Sequence, residues 1–488
     1  MSGLAIVLEF YERMSRTSNG FVWSFIERFL SQGANFVISI ILARLIAPES
    51  YGLIVMVNIF ITFSNLFIEG GFSKALIQKL NRSDEDYNTV FYFNFVLSLF
   101  LYLLLYFGAP YISSFYNQQK LVLITRLLGL NLIVGSFSVV PRAILNIKLD
   151  FLSLSRVSLV SIIISGLIGV IMAYQGFEVW ALVSQSILCQ LLMSIGLLWK
   201  FSWNIKMQFS YKSFKELFGY GSKLLINGIV SSMYVEGTNL FIGKIYNSAQ
   251  LAFYNTAFTL AQFPSTNIVG ILNRVSFPLE CEKQDSKQEL KEVYYRNLHL
   301  SNFICFPLLV ILAILSDSII KIVLTEKWLP SALYLSLFSI NFIPYASLNE
   351  MMNIISAVGR SDIILKGTIY RRIISFVILF ISIFYGVKAI CLGLIISSFI
   401  EIFIMALLVK KTLGYGIGEY LKKLLDIIIS CIIMSVLIYL CKFLITNIYL
   451  QVFLGVFISI ALYLLMARVF NMYEFEFINN KISQLLKR

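Results

Sequence analysis

Charge is scarce in this chain, histidine almost absent, and cysteine is not arranged for pairing. Only 13% of the 488 residues are charged against 58% hydrophobic, and the mean hydropathy is +0.82. A water-soluble domain of this size has nowhere to hide so much apolar surface, so lipid is the solvent for most of it. The single histidine, His299, stands alone at the start of an apolar stretch, which argues against a zinc centre or a Ser/His/Asp triad. The six cysteines (Cys189, Cys281, Cys305, Cys391, Cys431 and Cys441) form no C-x-x-C pair. Neither a disulfide framework nor a thiolate metal site is indicated, and no cofactor is expected. The opening "MSGLAIVLEF" lacks a basic n-region and is broken by Glu9, so it does not read as a cleaved signal peptide. Met14 is an alternative start.

What is present is a succession of apolar runs. Stretches of about 20 residues, each enough to span a bilayer, recur about 14 times. They run from 21–46, 52–75 and 88–110 through 217–244, 250–275, 298–323, 331–357 and 370–386 to 424–445 and 449–468. The expected fold is an all-α polytopic membrane protein. The net charge of +13 forms no single stripe, so nucleic acid is not the expected partner. Basic residues instead crowd the loops of one side, among them Lys79, Arg82, Lys283, Arg296, Arg371 and Lys410. That asymmetry places both termini in the cytoplasm of a cytoplasmic (inner) membrane protein. The outer loops, such as "APES" and "QGFE", leave no room for an extracytoplasmic catalytic domain.

A few basic residues fall inside the spans: Arg28, Lys74, Arg126, Lys223, Arg274 and Arg468. Lys74, Arg126 and Arg468 lie near span ends, where long side chains reach the interface. The others are harder to accommodate, because Arg or Lys at bilayer depth costs about 2.5–3.5 kcal/mol and normally faces a watery cavity or a partner. A shift of 200 residues lays "ARLIAPESYGLI" (43–54) on "GKIYNSAQLAFY" (243–254). In the first span Glu27, Arg28, Ser31, Gln32, Asn35 and Ser39 share one helix face; in the seventh, Lys223, Asn227, Ser231, Tyr234 and Thr238 do the same. Two halves that each open on a polar stripe fit a repeat about an axis along the membrane normal, with a site between them. Arg supplies phosphate with a planar two-pronged donor and Lys with a point charge, so a cationic lumen invites an anionic substrate. Glu27, Glu69, Glu236, Asp317, Glu350 and Glu401 are available for proton or sodium coupling, or for salt bridges.

The segments "ARLIAPESYG" (43–52), "GGFSKALIQK" (70–79), "RAILNIKLDF" (142–151), "VWALVSQ" (179–185), "LNRVSFP" (272–278), "EKWLP" (326–330) and "GRSD" (359–362), in this order and spacing, carry a resemblance. Together they are similar to the polysaccharide-transporter branch of the multidrug/oligosaccharidyl-lipid/polysaccharide exporter superfamily. The resemblance implies a flippase for undecaprenyl-pyrophosphate-linked oligosaccharide units used in O-antigen, capsule or exopolysaccharide synthesis. Membrane lipids and the polysaccharide polymerase machinery are the implied partners. It implies two six-helix lobes plus two C-terminal helices: a cytoplasmic segment 1–20, an N-lobe 21–203, a linker 204–216, a C-lobe 217–410 and a terminal pair with tail 411–488. By helix placement, Arg28, Arg274 and Lys223 would meet the pyrophosphate, with Glu27, Ser31, Asn35, Asn227 and Ser231 lining the cavity. Pro264 and Pro278 are expected to bend the eighth span, since each removes a backbone donor.

Two rivals remain. A multidrug cation antiporter of the same superfamily would favour an acidic cavity. A membrane glycosyltransferase or polymerase would need a metal–sugar-nucleotide site, for which Asp84 and Asp86 in "SDEDY" have D-x-D spacing. A solvated acidic loop on the cytoplasmic side is the plainer expectation for that pair.

Overall fold

The computed structural model describes residues 31–475 except 70, 80, 149, 201–205 and 207. All regular structure among them is helical. The helices are α1 (Ser31–Leu45), α2 (Pro48–Glu69), α3 (Phe72–Gln78), α4 (Asp84–Tyr116), α5 (Leu121–Ile147), α6 (Phe151–Tyr174), α7 (Val179–Lys200), α8 (Tyr211–Ile245) and α9 (Ser248–Glu282). They continue with α10 (Lys287–Ile314), α11 (Ser316–Val323), α12 (Pro330–Phe342), α13 (Tyr345–Ala357), α14 (Ser361–Ser382), α15 (Val387–Leu413), α16 (Ile417–Leu444) and α17 (Ile448–Val469). Among the described residues, 11 helical segments are long and apolar enough to cross a membrane. The expected spans at α1, α8 and α9 are not in that set. Polar side chains dilute α8 and α9, and of the first span only residues 31–46 are described, of which Ser31–Leu45 are helical.

The expected run 52–75 is two helices, α2 and α3, separated at Gly71, whose φ of +75° needs no Cβ. Likewise 331–357 divides at Ile343–Pro344, because Pro344 has no N–H to continue the α12 ladder. Pro264 and Pro278 both lie inside α9 without interrupting it. The halves of the repeat break in register: α1 ends at Leu45 and α2 begins at Pro48, while α8 ends at Ile245 and α9 begins at Ser248.

The chain forms two compact units, 1–252 and 253–488. In unit 1, α5 packs on α4 and α7, α6 packs on α7, and α2 lies against α5 and α8. Thus α8, which the sequence assigns to the second lobe, belongs by contacts to the first unit. Residues 204–216 are not all linker either, since α8 starts at Tyr211. Before it, two described residues are tied to α4: Asn88 Oδ1 accepts from the Lys206 amide (3.3 Å) and Thr89 Oγ1 from the Ser210 amide (3.0 Å). Two glycines permit close approach. A Cβ on Gly52 would stand 1.8 Å from the Ser248 carbonyl oxygen, and one on Gly71 would stand 2.5 Å from that of Gly221. Both belong to the recognised segments "APESYG" and "GGFSK".

In unit 2, α10 is central, touching α12, α13 and α16, while α14 pairs with α15 and α16 with α17. One apolar core drawn from α10, α13, α15, α16 and α17 includes Leu298, Met351, Met405, Ile427 and Tyr463. The last two helices are therefore integral to this unit.

Candidate functional site

The polar interior of unit 2 is built along α9, α10 and α13. Spacing explains it: Asn273 and Glu280 lie seven apart on α9, Asn297 and Ser301 four apart on α10, and Asn349 and Asn353 four apart on α13, so each pair shares a helix face. Asn273 Nδ2 donates to Asn349 Oδ1 (3.0 Å), and Asn353 Nδ2 donates to Asn273 Oδ1 (2.9 Å). Deeper in, Asn297 Nδ2 donates to Glu280 Oε1 (3.2 Å) and Ser301 Oγ to Glu350 Oε1 (3.0 Å). Ser347 Oγ donates to Asn302 Oδ1 (3.0 Å). Both glutamates are 0% exposed.

Beside this seam stands Arg274. It is half-buried in α9 and makes no hydrogen bond or ion pair with the described residues. Pro278, four residues on, cannot donate to the Arg274 carbonyl. A half-buried guanidinium without a partner among the described residues has its five donors available for an anion.

The other expected site residues fare differently. Arg28 and Glu27 lie outside the described residues. Lys223, Asn227 and Ser231 are on α8, with side chains outside the described set. Ser31 is buried, its hydroxyl without a partner among the described residues, whereas Asn35 and Ser39 on the same stripe are exposed. Arg126 does not simply reach for the interface: its guanidinium lies 4.3 Å over the Tyr106 ring and donates to the Tyr106 carbonyl.

Three expectations change. Asp86 is not in a solvated loop; it is 1% exposed at the start of α4. Its Oδ2 accepts from the Ser83 amide (2.9 Å) in a capping box, and its Oδ1 accepts from Lys79 Nζ (3.0 Å). With both oxygens engaged, the D-x-D metal reading loses a ligand. Lys79 also donates to Glu216 Oε2 (3.0 Å). Burial works to lower its pKa, but the two carboxylates outweigh it and hold the ammonium above its ordinary value. Arg371, expected in a cytoplasmic loop, is buried within α14, 3.6 Å from Glu401, while Ser375 Oγ donates to the same carboxylate (3.2 Å). His299 is not alone: Nε2 lies 3.1 Å from Asp426 Oδ2 on α16, and Nδ1 lies 2.8 Å from Glu474 Oε2 beyond α17. Both nitrogens facing carboxylates calls for an imidazolium clamp that ties α10 to the C-terminal helices.

A family model described as "Polysaccharide biosynthesis protein" matches residues 41–333. The chain belongs to that family. It is 26% identical to the teichuronic acid biosynthesis protein TuaB of Bacillus subtilis (strain 168) over 305 residues, 62% of this chain and 63% of TuaB. It thus spans just under two thirds of that relative's length. With the lipopolysaccharide biosynthesis protein WzxC of Escherichia coli (strain K12) it shares 22% identity, covering 83% of each. Among solved structures, the lipid II flippase MurJ in an inward closed conformation superposes with a TM-score of 0.74 at 16% identity, covering 92% of this chain and 98% of MurJ. An inward-facing multidrug MATE transporter of the MOP superfamily gives 0.64 at 15%, covering 79% and 94%. At these identities the superpositions establish a shared fold. This family member is a multi-pass membrane protein with the MurJ/MATE-like architecture.

Proposed function

We propose that this chain is a flippase that translocates undecaprenyl-pyrophosphate-linked oligosaccharide units across the cytoplasmic membrane by alternating access, with both termini in the cytoplasm. Family membership and relatives named for lipopolysaccharide and teichuronic acid biosynthesis support the polysaccharide assignment. The observation that carries the mechanism is Arg274: a half-buried guanidinium within α9, unpaired with the described residues. Its desolvation cost is offset when a pyrophosphate arrives, because charge-assisted, two-pronged hydrogen bonds form in a low-dielectric setting. Arg28 and Lys223 would complete the anion site, with polar side chains of α1 and α8 solvating the sugars and the prenyl tail remaining in lipid. Polymerase machinery would consume the product on the far side. Transport requires that the substrate bind the two conformations unequally.

The test is flipping of a fluorescent undecaprenyl-pyrophosphate-linked oligosaccharide in proteoliposomes, read as the fraction quenched by an impermeant reductant. Arg274→Ala is expected to weaken substrate binding by about 10- to 100-fold, the worth of a hydrogen bond to a charged group. Arg274→Lys should recover part of that. Unchanged affinity in a well-folded Arg274→Ala protein would remove Arg274 from the site, and wild-type protein that flips no such lipid would remove the flippase assignment.

A further inference from the structure

The two glutamates beneath the Asn273 ladder have no role in holding an anion. Glu280 on α9 and Glu350 on α13 are each 0% exposed and meet the same face of α10 one turn apart, at Asn297 and Ser301. Each has one oxygen satisfied from α10, by Asn297 and Ser301 respectively. Each leaves Oε2 without a partner among the described residues. Two carboxylates held one turn apart, away from water, disfavour joint ionisation, whereas one proton held there turns an unpaired oxygen into a donor and lets its neighbour accept. Among the described residues no cation pairs with either carboxylate. On α10, Tyr294 is the titratable neighbour and His299 is turned to Asp426 and Glu474. On α14, Arg371 pairs with Glu401 of α15, and on α16, Tyr420 faces Ser347.

We propose that Glu280 and Glu350 form a proton-binding carboxyl pair that couples transport to the proton gradient. Binding converts one carboxylate to a carboxylic acid, with the proton taken from the aqueous phase. Full burial means that this conformation neither loads nor releases the proton, so exchange requires the α9–α13 seam to open. The seam also reaches the substrate side. Arg274 is six residues from Glu280 on α9, about 9 Å along the axis, and its neighbour Asn273 bridges Asn349 and Asn353, which flank Glu350 on α13. Deprotonation would set two negative charges against each other across α9 and α13, and the displacement of α9 carries Arg274 with it. The coupling role rests on the flippase reading; the proton site does not.

Infrared difference spectroscopy of the full-length protein in lipid nanodiscs tests the site first. Near neutral pH a neutral carboxylic acid carbonyl band should be present, and both Glu280→Gln and Glu350→Gln should abolish it, because the glutamine amide then donates to the remaining carboxylate. If the glutamine variants misfold, Glu280→Asp should shift the band instead. A band unchanged in every folded variant, or no band in wild type, overturns the proposal. A band that appears only when sodium is removed, or flipping that follows a sodium gradient instead of a pH gradient, overturns it in favour of sodium. In proteoliposomes the wild-type rate should respond to an imposed pH gradient and Glu280→Gln should not, whatever its rate without one. A band lost in the variants together with a wild type that flips no lipid-linked oligosaccharide leaves the proton site standing and removes only the flippase reading.

Discussion

In unit 1 the partly buried Lys79 meets its opposites, Asp86 and Glu216, and the helices approach through bare backbone at Gly52 and Gly71. In unit 2 like stands near like: Glu280 and Glu350 are held one turn apart along α10 by Asn297 and Ser301. The first arrangement favours one fixed geometry, because separating either contact loses an ion pair or opens a void. The second is stable in one protonation state and strained in the other, as an element with two positions requires. The two units also place their ionic ties differently, since the unit 1 cluster joins α3, α4 and α8 at a helix start, whereas the His299 clamp of unit 2 lies at the side of a spanning helix.

The largest expected effect breaks unit 2. His299→Ala removes the cation between Asp426 and Glu474, leaving a buried carboxylate unpaired; breaking such a pair costs about 3–5 kcal/mol. A thermal melt of the purified protein should show it, together with faster hydrogen exchange in α16 and α17, and a melt unchanged from wild type would mean that the clamp does not hold those helices. Next, Gly52→Ala drives a Cβ into the Ser248 carbonyl and should destabilise unit 1 by about 1–3 kcal/mol. The equivalent repeat position already carries alanine, Ala252, so Ala252→Gly should produce no comparable gain in the same melt.

The smallest effect sharpens the contrast in charge. Lys79→Met leaves the buried Asp86 short of one partner and should cost about 1–2 kcal/mol, near the low end for an orphaned acceptor. The exposed Glu216 arm should add little. Because the folded-state pKa of Lys79 is raised, its contribution is fully present below its unfolded value and disappears only as the pH climbs through the raised one, in the alkaline range. Wild type and Lys79→Met should therefore differ in melting temperature by a constant amount across neutral pH and converge in strong alkali.

Much of this was readable in the chain. Apolar run length gave the all-helical membrane class, and the 200-residue shift placed the α1/α2 and α8/α9 breaks in one register because both ends of the comparison are local. Arg274 stood out because a charge within an apolar run is conspicuous by itself. Glu280 did not: it follows Pro278 in "SFPLECE", which reads as the start of a loop, and only the continuation of α9 to Glu282 buries it. Its partner Glu350 is 70 residues away in sequence. His299 and Asp426, 127 residues apart, and the Arg371–Glu401 pair are likewise tertiary contacts that no local spacing announces. Asp86 was legible as a pattern and misassigned, because the capping box and the metal-binding D-x-D use the same letters.

The shared register of the two helix breaks also bears on how such a chain could have diverged after an internal duplication. Position 52 must do without a side chain because another backbone occupies the space, while its counterpart 252 carries a methyl group. Copies that began alike are thus released unevenly. Drift is open to the one that already holds a methyl group and closed to the one facing a carbonyl, so the faint likeness between the halves should survive longest where main chain meets main chain.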